Sequence, residues 1–525
     1  MSNHPESAST RAANEHPASP ADQSMADRGD NRTRSPESTA FKQFMAAQWA
    51  EVEDRDLPQE AVAPFAARRR TRVSEAFRGE RLVIPAGAPK VRSNDTDYRF
   101  RPHSAFAHLT GLGVDHEPHA VLVLEPVEDG SGDHGAHHTA TLYFHPMAGR
   151  ETQEFYADTR NGQFWVGDRP TLREIGSAYG IRTADLSAME AAVSKNVGDP
   201  GAGGIRVRVL KGQDAAVDQV VEAARMAAAV NLDAEDRADA TLLEALSELR
   251  LVKDSHEVDQ LREAVNMTIR GFEDVARTLP AATGRNRGER VVEGAFFARA
   301  RAEGNDLGYD TIAAAGNNAT VLHWTRNTGV VREGDLILVD AGVEAESLYT
   351  ADVTRTLPVN GRYSPVQRKV YQAVLDAADA AFTAAVPGNR FRDVHDAAMK
   401  VLADRLAEWG LLPVSPEVSL SAEGQHHRRW MPHGTSHHLG LDVHDCAQAR
   451  REMYQDAVIE PGMVFTIEPG LYFKEEDLSV PPEYRGIGVR IEDDVLVTAD
   501  GNENLSAALP RDPGEVEAWM AQQHG

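Results

Sequence analysis

The 525-residue sequence has a single cysteine, Cys446, so no intrachain disulfide can form and nothing in it indicates an oxidising compartment. The thiol follows Asp445 at the end of a histidine-rich stretch, so a catalytic role has to be weighed. A free cysteine usually behaves as a small hydrophobic residue. We therefore predict that Cys446 is buried and structural.

The sequence also lacks an excess of basic residues and any long apolar run. Its 55 Lys and Arg stand against 81 Asp and Glu, a formal net charge of −26. Nucleic acids and anionic membranes are bound by basic patches, so we expect neither as a partner. No apolar run approaches the roughly 20 residues that span a bilayer, and the first residues lack the features of a secretory signal. We therefore expect a cytoplasmic protein.

Large apolar residues are absent from the start of the chain. Residues 1–40 contain no Val, Ile, Leu, Phe, Tyr or Trp, so they cannot bury enough apolar surface to offset the entropy lost on ordering. We predict a disordered or extended N-terminal tail over residues 1–64, with a short amphipathic helix from Phe41 to Glu51. A first domain is expected at 65–253 and a second at 254–525, with the boundary near Lys253.

Hydrophobic periodicity predicts the main elements of both domains. Strands are expected at Arg81–Pro85, Ala120–Leu124, Thr139–Phe144, Leu336–Gly342, Tyr349–Leu357, Val464–Phe473 and Gly488–Thr498, and helices at Leu242–Leu251, Asp254–Leu279, Pro365–Ala385 and Arg392–Trp409. Asp254 should cap its helix and Pro280 should end it. The two strands near residues 340 and 352 should form a hairpin. A Gly-rich loop with His134, His137 and His138 is interpreted as solvated rather than metal-binding.

Four carboxylates lie inside apolar segments of the second domain, where an unpaired ion is costly to bury. They are Asp340, Asp352, Glu468 and Glu492. Between them, the glycine-rich stretch from Trp430 to His444 contains four histidines, His433, His437, His438 and His444. A group of acids around a histidine cluster predicts a metal site.

The donor types indicate which metals this site prefers. Four carboxylates and one imidazole form a hard, oxygen-rich set that suits Mn²⁺, Mg²⁺ or Co²⁺ better than a structural zinc. Carboxylates can bridge, so the set fits two ions about 3.5–4 Å apart with a hydroxide between them. Hydrolysis is the natural use of such a centre. Arg490 shares a strand face with Glu492, and a purely structural ion pair is the alternative interpretation.

The order and flanking residues of these acids resemble a known superfamily. Asp340, Asp352, His437, Glu468 and Glu492 resemble the five metal ligands of the methionine aminopeptidase/prolidase/aminopeptidase P superfamily. The segments Leu322-His323-Trp, Asp352-Val-Thr-Arg-Thr, His433-Gly-Thr-Ser-His437, Glu468-Pro-Gly-Leu-Tyr and Gly486-Ile-Gly-Val-Arg490-Ile-Glu492 are most similar to bacterial aminopeptidase P. The similarity spans about Phe65 to Leu509. It implies an α/β N-terminal domain followed by an α+β pita-bread catalytic domain.

The resemblance also implies the roles of the site residues. Asp340 would bind one divalent ion, His437 and Glu468 the other, and Asp352 and Glu492 would bridge them. Mn²⁺ is the expected ion, with Co²⁺ or Zn²⁺ as alternatives. Glu468 would also take the proton of the attacking water. His323, His433 and His444 would position the substrate and stabilise the oxyanion, and Arg490 would orient Glu492.

The implied activity is release of the N-terminal residue from peptides with proline in the second position, by attack of a hydroxide that bridges the two metals. A prolidase acting on Xaa-Pro dipeptides is the nearest alternative. A non-catalytic pita-bread binding module and a creatine-hydrolysing relative are disfavoured, because such members lack the ligands. Spacing leaves His438 as an alternative ligand to His437, which the family segment favours.

The resemblance also implies a homo-oligomer, tetramer or dimer. Trp165 resembles a tryptophan that closes a neighbour's cleft, although a core or surface role is equally favoured.

Overall fold

The structure, a computed structural model, describes residues 36, 38–50, 54–55, 57–94, 96–114, 116–128 and 130–524. Most of the predicted tail, residues 1–35, lies outside the described residues. The chain divides into two compact units: a smaller one formed by Met1–Asp54, Lys90–Tyr98 and Pro146–Thr171, and a larger one formed by Arg55–Pro89, Arg99–His145 and Leu172–Gly525.

The elements follow one another as helices and short strands. The helices are α1 Thr39–Ala46, α2 Ala63–Ala76, α3 Ser104–Thr110, α4 Glu154–Ala157, α5 Gln163–Val166, α6 Leu172–Tyr179, α7 Met189–Ser194, α8 Ala215–Ala227, α9 Leu232–Glu248, α10 Ser255–Ala282, α11 Gly288–Glu303, α12 Pro365–Ala384, α13 Phe391–Glu408, α14 Pro416–Leu420 and α15 Pro513–His524. The strands are β1 Arg81–Pro85, β2 Val91–Ser93, β3 Thr96–Asp97, β4 Val121–Pro126, β5 His138–Phe144, β6 Arg182–Asp185, β7 Val207–Val209, β8 Asp306–Leu307, β9 Ile312–Ala315, β10 Leu336–Ala341, β11 Val343–Glu344, β12 Val353–Pro358, β13 Val464–Ile467, β14 Gly470–Phe473, β15 Ile487–Arg490, β16 Asp493–Thr498 and β17 Gly501–Asn504.

The smaller unit is held together by aromatic contacts. It contains α1, the β2–β3 hairpin, α4 and α5. Phe41 packs edge-on against Tyr156 at 5.4 Å between ring centroids, and Trp49 packs in the same way against Phe155, also at 5.4 Å. Trp165 donates its indole N–H to the Tyr156 carbonyl at 2.9 Å, yet 52% of its surface is exposed.

A five-stranded mixed sheet organises the amino-terminal part of the larger unit, in the order β6-β5-β4-β1-β7. Because side chains alternate across a strand, both faces can bury apolar residues. Leu82 and Ile84 of β1 face a cluster that includes α2, α3 and α6, whereas Val83 between them faces α7 and α8. The resulting three-layer arrangement is the predicted α/β region.

The remainder of the larger unit is an α+β region with a separate core. The sheet β12-β10-β9 and the sheet β13-β16-β17 pack with helices α10 to α13 and α15 around one apolar cluster. The predicted hairpin pairing is confirmed, since β10 and β12 are antiparallel with Asp340 opposite Thr354. The short strand β11 lies between them and pairs with β8 instead.

Two predicted strands are each broken at a candidate ligand. The segment Val464–Phe473 forms β13 and β14, interrupted at Glu468 and Pro469, and Gly488–Thr498 is interrupted at Ile491 and Glu492. Proline has no N–H to donate to a sheet ladder, which accounts for the first break. Each interruption frees a carboxylate from strict alternation, so both acids can turn toward one cavity.

Two predicted helix boundaries differ from the structure. Helix α9 begins at Leu232, well before the predicted Leu242. Helix α10 is capped by Asp254 as predicted, but it continues past Pro280 to Ala282. The carbonyl that proline cannot bond, that of Ala276, is paired with the ring of His524 at 3.0 Å, so the helix can continue.

The predicted solvated histidine loop is wrong for two of its three members. His134 is exposed, but His137 and His138 are buried. His138 bonds the hydroxyl of Ser74 through Nδ1 at 2.8 Å and the carbonyl of Glu80 through Nε2 at 2.7 Å. This histidine therefore joins α2 to β5 in a structural role.

Within the described ranges, no helix combines the length and the apolarity that crossing a bilayer requires.

Candidate metal centre

The nine residues that the sequence singled out as metal ligands or catalytic groups all line one cavity of about 530 Å³. They are His323, Asp340, Asp352, His433, His437, His444, Glu468, Arg490 and Glu492. They come from β10, β15, the breaks after β13 and β15, the residue before β12, and two loops. Residues as far apart in the chain as His323 and Glu492 thus line the same cavity.

His437 lies at the centre of the carboxylates. Its Nε2 is 3.3 Å from Asp352 Oδ2, 3.8 Å from Glu468 Oε1 and 4.0 Å from Glu492 Oε1. Donor atoms of Asp352, His437 and Glu492 all lie within 4.8 Å of one another. This spacing leaves room for a cation that several donors share.

The two aspartates of the β10–β12 pair are linked by a tyrosine that the sequence prediction missed. Asp340 pairs with Thr354 in the ladder, so Asp352 is its diagonal neighbour on the same face. The hydroxyl of Tyr309 bonds Asp340 Oδ1 at 2.6 Å and also bonds Asp352 Oδ1. Burial and the two carboxylates raise the pKa of Tyr309 well above its usual value, so it is a neutral phenol.

The guanidinium of Arg490 stabilises this acidic cluster. Arg490 is buried and bonds Asp340 Oδ2 directly, and its Nε donates to Thr354 Oγ1 at 3.2 Å. Thr354 in turn donates its hydroxyl to Glu492 Oε2 at 2.6 Å. Arg490 therefore reaches Glu492 mainly through Thr354, since its own nearest approach is 4.0 Å.

The electrostatics of the cavity show more negative charge than Arg490 can balance. Burial raises the pKa of Glu468 to about 7, despite the opposing charges of His437 and Arg490. Burial together with Asp352 and Glu468 raises the pKa of Glu492 well above its usual value. Burial lowers the pKa of His437, but the hydrogen bond to Asp352 and the charge of Glu468 outweigh it and raise that pKa to about 9.

The donor set therefore fits divalent metal ions. The carboxylates lie close to one another and to the buried guanidinium of Arg490. They are stable as anions only when more positive charge lies among them. Oxygen donors of this kind are those that hard divalent ions prefer. Tyr309 and Arg490 bond the two oxygens of Asp340, and Tyr309 also bonds Oδ1 of Asp352, which leaves Asp352 Oδ2 beside His437.

Two neighbouring histidines have opposite environments. His437 lines the cavity, whereas His438 is fully buried, stacked on Phe391 at 4.8 Å and edge-on to Tyr454 at 4.6 Å. Neither ring nitrogen of His438 has a hydrogen-bond partner among the described residues. Burial lowers the pKa of His438 to about 3. His438 is therefore a core residue, and His437 is the one available to a metal.

The other cavity histidines differ in how they are held. His433 bonds the Gly434 carbonyl through Nδ1 at 2.6 Å and the Tyr472 hydroxyl through Nε2 at 2.7 Å. Arg490 donates to the same hydroxyl at 3.1 Å. Burial and Arg490 lower the pKa of His433 to about 3, so its ring is neutral and its single N–H points to the Gly434 carbonyl.

His444 and His323 are held less tightly than His433. The ring of His444 lies 4.4 Å from that of His437, and burial lowers its pKa. No hydrogen bond to the ring of His323 or His444 is found in the described part of the chain. Both rings are thus available to a ligand.

A buried acid outside the cavity fixes the loop that carries His323. Glu289 of α11 is 0% exposed and accepts from Ala315 N at 2.8 Å, from Asn318 Nδ2 at 2.8 Å, from Trp324 Nε1 at 2.8 Å and from Gly329 N. Its carboxylate thus bonds both ends of the loop. Nothing in the helical pattern of α11 signals this role, because the bonds depend on residues 26 to 40 positions away.

Tyr309, Asp310 and Tyr472 also line or contact the site and were not predicted as site residues. Tyr472 ends the segment Glu468-Pro-Gly-Leu-Tyr, so the family-like segment itself contained the signal. Tyr309 lies outside the family-like segments, and only the fold brings it to Asp340 and Asp352.

Cys446 is fully buried as predicted, and burial raises its pKa to about 12.

Comparison with known proteins agrees with this geometry. Residues 259–499 match the model of metallopeptidase family M24, and residues 65–200 match that of the aminopeptidase P N-terminal domain. Xaa-Pro aminopeptidase 1 of Streptomyces coelicolor is 50% identical over 93% of both chains. The low-pH form of Escherichia coli aminopeptidase P has a TM-score of 0.74 and 30% identity over 89% of this chain and 99% of its own, and its zinc-substituted form with product has the same score and identity over 89% and 100%. The chain therefore belongs to metallopeptidase family M24, in its aminopeptidase P branch with the pita-bread fold, as the sequence predicted.

Proposed function

We propose that this chain is a metal-dependent aminopeptidase that releases the N-terminal residue from peptides with proline in the second position. The observation that carries the proposal is the single cavity in which the acids, His437 and the three other histidines lie together. The Xaa-Pro aminopeptidase relative, matched over 93% of this chain, supports the same activity. A prolidase would use the same donors and remains the alternative to test.

The proposed ligands are Asp340, Asp352, His437, Glu468 and Glu492, and the proposed ion is Mn²⁺, with Co²⁺ or Zn²⁺ as alternatives. Bound divalent ions would polarise the scissile carbonyl and lower the pKa of a water molecule. The chemistry of the donors supports Mn²⁺, because four of the five supply oxygen. Arg490 and Tyr309 bond the carboxylates of the two aspartates, which fixes the orientation of both side chains.

Glu468 is the proposed general base. One of its oxygens lies 3.7 Å from His433 and the other 3.8 Å from His437, inside the cavity. Burial raises its pKa to about 7 in the metal-free chain, and bound divalent ions would lower that pKa and keep the carboxylate ionised, so that it can accept a proton. Glu468 would therefore take a proton from water and pass it to the proline nitrogen that leaves.

The histidines divide into two proposed roles. His433 directs its one N–H to Gly434, so it acts through Tyr472 and the cleft wall rather than as a donor to the developing oxyanion. The rings of His323 and His444 have no hydrogen-bond partner among the described residues, and both are proposed as donors to the carbonyl oxygen. Proline at the second position gives a substrate nitrogen without an N–H, so the site needs no acceptor for one.

The experiment that tests the proposal is hydrolysis of Arg-Pro-Pro and of Gly-Pro after chelation and re-addition of Mn²⁺, Co²⁺ or Zn²⁺. Release of arginine from the tripeptide, restored by metal and best by Mn²⁺, is the expected result. Cleavage of Gly-Pro alone would make the chain a prolidase. Absence of metal-dependent turnover of both peptides would overturn the proposal.

The other predictions on organisation remain proposals. Separate family models at 65–200 and 259–499 support domains at 65–253 and 254–525, preceded by a tail at 1–64. Consecutive exposed residues Phe164, Trp165 and Val166 support a homo-oligomer, tetramer or dimer, that covers this surface. Light scattering of the wild type and of Trp165→Ala tests the assembly, and fractionation of cells tests the cytoplasmic location.

A further inference from the structure

A second cavity of about 610 Å³ adjoins the metal cavity and has no role in the chemistry described above. Leu322 and His323 line both cavities, so the two share one wall. The shared wall is the loop that Glu289 fixes. The two cavities therefore lie next to each other along this loop.

Tyr472 marks the passage between the two cavities. Its side chain lines the second cavity, while its hydroxyl lies 2.7 Å from His433 and 3.1 Å from Arg490, both in the wall of the first. A chain that leaves the metal cavity past His433 must run along the ring of Tyr472. The ring is held by two hydrogen bonds, so this passage has a fixed shape.

The direction of the substrate through this passage follows from the reaction. An aminopeptidase cleaves after the first residue, so a single residue lies on one side of the scissile bond and the rest of the peptide lies on the other. An open extension of the cleft is therefore useful only to the residues that follow the cleaved bond. An extension of the cleft such as the second cavity would therefore serve the residues after the proline.

One cation of this cavity has no anionic partner. Lys474 directly follows β14 and lines the same cavity as Tyr472. Its Nζ donates to the Thr320 carbonyl at 3.3 Å, and the described residues place no carboxylate within 4 Å of it. Arg429, by contrast, is paired with both oxygens of Asp477 at 2.9 and 2.7 Å.

We propose that the second cavity is the binding site for the residues that follow proline, and that Lys474 binds the C-terminal carboxylate of short peptides; this inference rests on the function proposed above. An extended peptide advances roughly 3.3–3.6 Å per residue, so the one or two residues after proline can reach from Tyr472 to Lys474. The enzyme therefore prefers tripeptides and tetrapeptides with a free C-terminus over the same peptides as amides.

The test compares kcat and KM of the metal-loaded enzyme for Ala-Pro-Ala and Ala-Pro-Ala-Ala, each as the free acid and as the C-terminal amide. For at least one length, the wild type should show a kcat/KM about threefold to fivefold higher for the acid, the size expected of an exposed ion pair. Lys474→Ala should raise KM for that acid to the value of its amide and leave kcat unchanged. Lys474→Arg should retain the preference.

Glu476 provides the matched control, since it lines the same cavity with the opposite charge. Glu476→Gln should keep or strengthen the preference for the acid. An equal rate for acid and amide in the wild type at both lengths would overturn the inference while leaving the proposed function intact. A preference that persists in Lys474→Ala would also overturn it. If the wild type cleaves none of the four peptides, the proposed function fails, and this inference fails with it.

Discussion

Two groups of acidic side chains in the larger unit differ in how their negative charge is balanced. Where the amino-terminal part meets the α+β region, Glu257 contacts His108 at 3.3 Å and Arg69 at 3.6 Å, and Asp445 contacts Arg250 at 2.9 Å. Burial raises the pKa of both acids, but their basic partners lower it below the usual value. In the metal cavity, Glu492 is as deeply buried and Glu468 is partly buried, and the pKa values of both are raised.

The difference teaches how to distinguish a structural acid from a ligand. Each acid of the junction lies within 4 Å of a basic side chain, so its negative charge is balanced and its role is structural. The acids of the cavity share one arginine, so the region is stable only with protons or with additional cations. The following predictions separate these two cases, beginning with the largest effect.

Asp352→Ala removes a carboxylate that lies next to both His437 and the Tyr309 hydroxyl. Loss of metal-derived charge stabilisation is worth several kcal/mol, so turnover of Arg-Pro-Pro should fall by on the order of 10³-fold or more. Elemental analysis should show less bound Mn²⁺, while far-UV circular dichroism stays unchanged. Near-normal turnover at full metal supply would contradict the ligand assignment.

Asp445→Asn instead removes an acid from the junction, where each acid lies beside a basic side chain. It leaves Arg250 buried without its partner, so the free energy of unfolding should fall by about 3–5 kcal/mol. The urea midpoint measures the loss, and bound Mn²⁺ per folded molecule should stay the same. The matched variant Glu492→Gln in the chelated enzyme should cause no such loss, since it relieves repulsion. Equal destabilisation by both variants would remove the distinction between the two regions.

The melting temperature of the chelated enzyme should depend on pH, because the metal cavity contains more acidic groups than its buried arginine can balance. The pKa of Glu468 is about 7 in the fold, above its usual 4.5, and that of His437 is about 9, above 6.5. Both groups bind protons more tightly when folded, so their stabilisation is complete below the unfolded pKa values and is lost as pH rises from about 4.5 to 9. The melting temperature of the chelated enzyme should therefore fall over this range.

Mn²⁺ should oppose this trend, because metal ligands bind when deprotonated. The difference in melting temperature between the Mn²⁺-loaded and chelated enzyme should widen from pH 5.5 to pH 8.5, as scanning calorimetry can show. Parallel curves would mean that the raised pKa values do not belong to metal ligands.

The smallest effect is expected at Cys446. Burial and the neighbouring Asp445 raise the pKa of its thiol to about 12, so iodoacetamide should modify the native enzyme at pH 8 far more slowly than the urea-unfolded chain. Cys446→Ala should leave turnover and metal content unchanged. Rapid modification with loss of activity would instead give the thiol a role at the site.

The sequence predicted the donors of the cavity because each lies in a short segment whose chemistry is local. A carboxylate within an apolar run, as at Asp340, signals a partner whatever the fold. The same local signals located most helices and strands, since periodicity and capping act over a few residues. The ends of these elements depend on distant residues. Helix α10 continues past Pro280 because His524, far along the chain, pairs with the Ala276 carbonyl that proline leaves free.

The amino-acid sequence by itself determined the inventory: five metal-type donors, the histidines around them and two apolar regions able to fold. Tertiary structure decided which atoms meet. It turned His437 toward the carboxylates, packed its neighbour His438 among aromatic rings, and brought Tyr309 between two aspartates. It also left Lys474 beside the cleft with no carboxylate partner among the described residues. The physical reason is that charge state and orientation depend on burial and on partners through space, and these are fixed only when distant segments pack together.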